Sequence, residues 1–160
     1  MSWIPWLLVV ACSRTGSGDP AQAPLRPTEF RGKVVISGSE PSTLVRLVTT
    51  SGNPELVGTL EPELRRLAGA SVVVQGRLTG RRPVERLEVE DYQILEIDGE
   101  EPSAGVLLLR NGEVWLAGRD TLQLVGPPDE LRSRSGAKVW IVGRRSGSTM
   151  QVQSYGVIRD

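Results

Sequence analysis

The sequence predicts a mainly β protein, built as two tandem five-stranded barrels, each with a short helix between its third and fourth strands. Three features of the 160 residues predict it: an internal duplication, strand-length segments rich in β-branched residues, and a helix signature present once per copy. The duplication carries the most weight. Gly69-Ala70-Ser71-Val72-Val73-Val74-Gln75-Gly76-Arg77 matches Gly136-Ala137-Lys138-Val139-Trp140-Ile141-Val142-Gly143-Arg144 at an offset of 67, and Glu63-Leu64-Arg65 matches Glu130-Leu131-Arg132 at the same offset. Leu56-Val57-Gly58 matches Leu124-Val125-Gly126 at 68, and residues 87–95 match 150–158 at 63. Four blocks in one order mark a tandem duplication, whose offsets change in loops, where insertions are tolerated.

Each element is then read with both copies as witnesses. Strand one is expected over 33–36 and 106–109, strand two over 44–48 and 114–117, and a short strand three over 55–60 and 121–125. Residues 61–67 form the helix: Pro62 suits its first turn, acids open it, bases close it and Gly69 follows. Its counterpart is 128–134, closed by Gly136. Strand four covers 71–77, rich in valine, and strand five 86–96. In strand five, Leu87, Val89 and Ile94 alternate with charged residues, and Tyr92 breaks the period in the manner of a bulge.

The order β-β-β-α-β-β resembles the OB-fold, a small Greek-key barrel in which a helix at this position commonly plugs one end. An SH3-like barrel is the alternative. The resemblance implies an OB-like repeat over 30–97, a linker over 98–104 and a second repeat over 105–160.

Ahead of the repeats, residues 1–11 are uncharged and mostly apolar, too short for a permanent span of about 20 residues but long enough for a signal-peptide apolar region. Val9-Val10-Ala11-Cys12 resembles a bacterial lipobox, and Cys12 is the only cysteine in the chain. No Lys or Arg precedes the apolar run, which a start lying further upstream would explain. The resemblance implies cleavage before Cys12, acylation of its thiol and of the new N-terminus, and stable anchoring by two or three chains. Ser13 rather than Asp follows the cysteine, which by the sorting rule of some Gram-negative lipoproteins favours the periplasmic side of the outer membrane. Residues 12–29, rich in Ser, Gly, Pro and Ala, read as a flexible tether.

Composition limits the chemistry. Histidine is absent and cysteine is single, so imidazole catalysis, Cys-x-x-Cys chemistry and an intrachain disulfide are excluded. No catalytic constellation, cofactor motif or metal-ligand spacing stands out, and the chain is expected not to be an enzyme. The acidic run Glu85, Glu88, Glu90, Asp91, Glu96, Asp98, Glu100, Glu101 reads as a solvated face, because copy two replaces its strand carboxylates with Gln151, Gln153 and Ser154. Lys+Arg and Asp+Glu are both 19, which argues against a dedicated nucleic-acid binder. Arginines do gather at the hairpins between strands four and five: Arg77, Arg81, Arg82 and Arg86 in copy one, Arg144 and Arg145 in copy two.

Trp115 and Trp140 stand where copy one has Arg46 and Val73, so the shared fold demands neither. Both are out of phase with the core positions of their strands and point outward. With Arg144 and Arg145 they form the candidate surface: an inter-repeat interface or an open ligand patch. Tyr92 and Tyr155 are equivalent and read as fillers of a barrel end. The expected function is a non-catalytic binding or scaffolding module for a protein or envelope component, lipid-anchored in the cell envelope. A tandem OB-fold nucleic-acid binder is the alternative.

Replacing Cys12 by Ser should abolish acylation, since no second thiol can accept it. In a Gram-negative host the wild-type chain, given a functional signal start, should partition into detergent and C12S should not; a wild type recovered as soluble protein would defeat the anchor.

Overall fold

The computed structural model describes residues 27–81 and 84–160; the apolar segment, Cys12 and most of the expected tether lie outside the described residues. Repeat one contains β1 (Thr28–Ser37), β2 (Leu44–Val48), β3 (Glu55–Val57), α1 (Glu61–Arg65), β4 (Ser71–Arg81) and β5 (Val84–Glu96). Repeat two contains β6 (Ser103–Arg110), β7 (Glu113–Gly118), β8 (Thr121–Val125), α2 (Asp129–Arg132), β9 (Lys138–Ser146) and β10 (Thr149–Arg159). Among the described residues the protein is mainly β, with two five-stranded sheets and two short helices. Among the described residues no helix is long and apolar enough to cross a membrane.

Each sheet closes on itself, in the order β1-β2-β3-β5-β4 in repeat one and β6-β7-β8-β10-β9 in repeat two. Closure requires one parallel pair per repeat, β3 with β5 and β8 with β10; the other pairs are antiparallel. The long β1 makes this geometry, using its first half, from Thr28, to pair with β4 and its second half to pair with β2. Sequence periodicity misses that first half because its side chains are mostly exposed and leave no apolar alternation. The third strand of repeat one ends at Val57 because Gly58 takes φ 109° and turns the chain toward α1. Within the expected linker, Asp98-Gly99 forms a tight turn with both residues at positive φ, closed by reciprocal backbone hydrogen bonds between Ile97 and Glu100.

The alternating valines and leucines fill each closed sheet. Val34, Val45, Leu47, Leu56, Leu64, Val72, Val74 and Leu87 form the centre of core one, and Leu107, Leu116, Leu122, Leu131, Val139 and Ile141 that of core two. The repeat extends to fine detail. Val34 N–H donates to the Ala70 carbonyl while Gly69 N–H donates to the Val34 carbonyl; Leu107 makes the same two bonds with Ala137 and Gly136. Both glycines sit at φ near 95°, a conformation a side chain disfavours, so the glycine four residues after each helix ties the following loop to the first strand.

The bulge expected near Tyr92 falls two residues earlier. Register shifts leave Glu90 and Leu95 unpaired in β5, and the same shifts leave Gln153 and Ile158 unpaired in β10. These positions correspond at the offset of 63, so both long strands bend at the same places. The bend drives a carbonyl into the facing strand: a Cβ on Gly76 would collide with the Glu88 carbonyl oxygen, and one on Gly143 with that of Gln151. Gly76→Ala should therefore cost about 1–3 kcal/mol, as for overpacking elsewhere, and Gly143→Ala a similar amount. Urea midpoints measure it; an unchanged midpoint in both variants would show that the bends are not needed for closure.

Candidate functional site

The two repeats meet through one end of repeat one and one face of repeat two. At the end of repeat one, α1 presents Glu63, only 4% exposed. Its carboxylate accepts hydrogen bonds from the Tyr92 hydroxyl at 2.6 Å, the Lys138 ammonium at 2.8 Å and the Arg159 guanidinium at 3.0 Å. Tyr92 belongs to the same repeat, whereas both cations come from repeat two. The Lys138 ammonium also lies 4.6 Å from the centre of the Tyr92 ring. Ile158 of repeat two is buried within core one, and Trp140 packs against that core. Asp160 extends the junction by pairing with Arg66 of repeat one and Arg134 of repeat two.

The electrostatics of this junction are one-sided. Burial pushes the Glu63 pKa up, but hydrogen bonds from Lys138 and Tyr92 and the charges of Lys138 and Arg159 outweigh it, leaving the carboxyl below its ordinary range. The Tyr92 hydroxyl is pushed well above its ordinary value by burial first, then by its bond to Glu63. The counterpart pair in repeat two has the same bond, Tyr155 donating to Glu130 at 2.7 Å. There the second partner is Arg134 of the same helix end, and Glu130 stays exposed. The two tyrosines thus lie at equivalent positions of the fifth strand of each repeat, with a helix carboxylate as the partner of each.

Beside the junction lies a cleft of about 510 Å³. That volume falls within the ~300–1,000 Å³ typical of small-ligand sites, which concentrate at boundaries between structural units. Tyr92 and Ile94 of repeat one form one wall; Ala104, Val106, Ala117 and Ile158 of repeat two line the other. Arg119, the Asp120–Arg145 ion pair at 2.8 Å, Glu101 and Lys138 supply charge. Among the described residues no carboxylate pairs with Arg119.

The structure separates the residues singled out from the sequence. Trp140 faces Gly156 on β10 so closely that a Cβ there would overlap the indole, and it joins the inter-repeat contact. Trp115, half-buried on the same outer sheet face, packs against neither core. Register places Trp115 across from Leu108 and Trp140 across from Ala104, so the rings sit roughly 13 Å apart along β6 and form no joint patch. Arg145 borders the cleft, while Arg144 is exposed and outside its lining. Arg77 and Arg86 are held by Glu90 at 2.7 Å and Glu55 at 3.1 Å. The side chains of Arg81 and Arg82 lie outside the described residues. Among the described residues no group of three or more acidic side chains is arranged to hold a metal ion.

Sequence reasoning passed over Glu63, Lys138, Ile158 and Arg159. A signal existed, since the aligned copies exchange Ser71 for Lys138, Leu95 for Ile158 and Glu96 for Arg159. Those exchanges cluster on the face that meets repeat one.

No family model matches this chain, and no curated protein matches it. Among solved structures, the crystal structure of the tetrameric p202 HIN2 is similar to it at 8% identity and a TM-score of 0.29, covering 82% of this chain and 94% of that chain. So distant a likeness carries no weight for fold or function.

The tryptophans now separate by measurement. Trp140→Ala should cost about 2 kcal/mol, below the 3–5 kcal/mol of a fully buried Trp because the ring is half-buried. Trp115→Ala should cost about 1 kcal/mol or less, closer to a surface site. With Trp3 and Trp6 replaced by Phe, acrylamide should quench Trp115 more steeply than Trp140 in the two single-tryptophan forms; the reverse order would refute this placement.

Proposed function

We propose that the chain is a lipid-anchored, non-catalytic binding module of the cell envelope, which takes part of a protein or envelope component into the cleft between two OB-like barrels. The inter-repeat cleft carries the reading. Apolar side chains of both repeats line it beside five charged ones, Glu101, Arg119, Asp120, Lys138 and Arg145, so that polar and apolar surface are about balanced, a mixture that can both bury and orient a ligand. Closure in the order 1-2-3-5-4, with a helix between strands three and four, supports an OB-like over an SH3-like assignment. A chain without histidine, whose only thiol is the acylation candidate Cys12, supports binding over catalysis. Anchoring through Cys12 on a tether would hold the cleft at a membrane surface, with the periplasmic side of the outer membrane favoured in a Gram-negative cell.

Backbone amide shifts tested against a fragment and short-peptide library address the reading. Perturbations should cluster at Ile94, Ala104, Ala117 and Arg119. Ala117→Trp, which fills the cleft, should weaken the bound hits by about tenfold or more, or about 1.4 kcal/mol. Shifts induced by a single-stranded oligonucleotide at the 77–86 hairpin, lost steeply with salt, would instead favour the tandem OB nucleic-acid reading.

A further inference from the structure

The cleft and the junction share parts. Tyr92, Lys138 and Ile158 line the cleft, and the same three residues hold the repeats together, two of them through Glu63. We infer that Glu63 is a proton-sensitive latch on the cleft: protonating its carboxylate frees Lys138 and Arg159 and lets repeat two rock away from α1 about residues 98–102, the part of the expected linker that precedes β6, so that the cleft opens. The functional consequence, release of an occupant at acid pH, rests on the cleft being the binding site.

The charged groups around Glu63 leave it little substitute. From α1 and the residue after it, Glu61 pairs with Arg65, and Arg66 pairs with Asp160. From β5 comes Tyr92, with Asp91 beside it in sequence; from β9 comes Lys138; from β10 and the C-terminus come Arg159 and Asp160. A neutral Glu63 keeps its bond to Tyr92 but no longer compensates Lys138, a half-buried cation then left with an aromatic face. Stranding Lys138 beside a neutral partner is costly, which shifts the balance toward separation against the apolar contact that Ile158 and Trp140 keep. Glu130 provides a control inside the molecule, with the same helix position and the same tyrosine bond but both polar partners within its own repeat.

The direction with pH follows from the depressed pKa of Glu63. The latch is complete above the ordinary glutamate value of 4.5 and is lost as pH falls through the lower folded value.

Spin labels at Ser39→Cys and Ser148→Cys, in the full chain carrying Cys12→Ser, report the distance between repeats by pulsed dipolar spectroscopy. The distribution should be narrow at neutral pH and broaden reversibly below pH 4.5, while circular dichroism keeps its β signal. Glu63→Gln should give the broad distribution at neutral pH, and Glu130→Gln should not. If Glu63→Gln fails to fold, Lys138→Met serves: losing the main cationic partner should raise the acid midpoint by about one pH unit. A narrow distribution in folded Glu63→Gln, or an unshifted midpoint in Lys138→Met, overturns the latch. A latch that opens as described in a protein whose cleft binds none of the library would sink the binding site and leave the latch standing.

Discussion

Glu63 is the one carboxylate of the described residues that is buried, and the relation between the repeats depends on it. Removing a charge from water is costly unless other groups replace its hydration. Here the replacements come from two sources: Tyr92 on β5 of the same repeat, and Lys138 and Arg159 from the other repeat. The first lies within repeat one and holds the carboxylate from its own repeat. The second makes burial tolerable only once they have met. A polar bond of this kind specifies one docking geometry, while Ile158 and Trp140 supply apolar contact around it. Among the described residues no buried side-chain polar atom is left without a partner.

The contact is head-to-tail, joining unlike surfaces of two similar units, and such an arrangement could continue to a third unit. Three exchanges between the copies oppose continuation. Leu67, buried in core one, is replaced by Arg134 at the aligned position, and that arginine neutralises Glu130 locally. The face of repeat one that corresponds to the docking face of repeat two carries Ser71 and Glu96 where Lys138 and Arg159 stand. Glu96 would meet Glu130 with like charge. The outer end of repeat two is thus polar, with Glu130 compensated by Arg134.

What the sequence determined by itself is what depends on neighbours along the chain. Strand two at 44–48 and strand eight at 121–125 match the structure residue for residue, because alternation and turn-forming neighbours are local signals. The helices are shorter than expected, ending at Arg65 and Arg132, yet each lies between the third and fourth strands of its repeat. The start of β1 was illegible for the opposite reason, since exposed side chains on a strand that pairs on both sides leave no periodic trace.

Tertiary structure alone decided which of two equivalent glutamates becomes buried. Glu63 and Glu130 occupy the same Glu-Leu-Arg block, at the same helix position, bonded to equivalent tyrosines. One local difference separates them, Arg134 in place of Leu67, which pairs Glu130 within its own repeat but leaves Glu63 without a local cation. The rest of the difference lies with Lys138 and Arg159, 75 and 96 residues from Glu63. The duplicated sequence could show that the copies diverge at those positions. Only the docking of one closed sheet on the other brings the divergent residues to one carboxylate, because burial is a property of the assembled surface, not of the segment that supplies the charge.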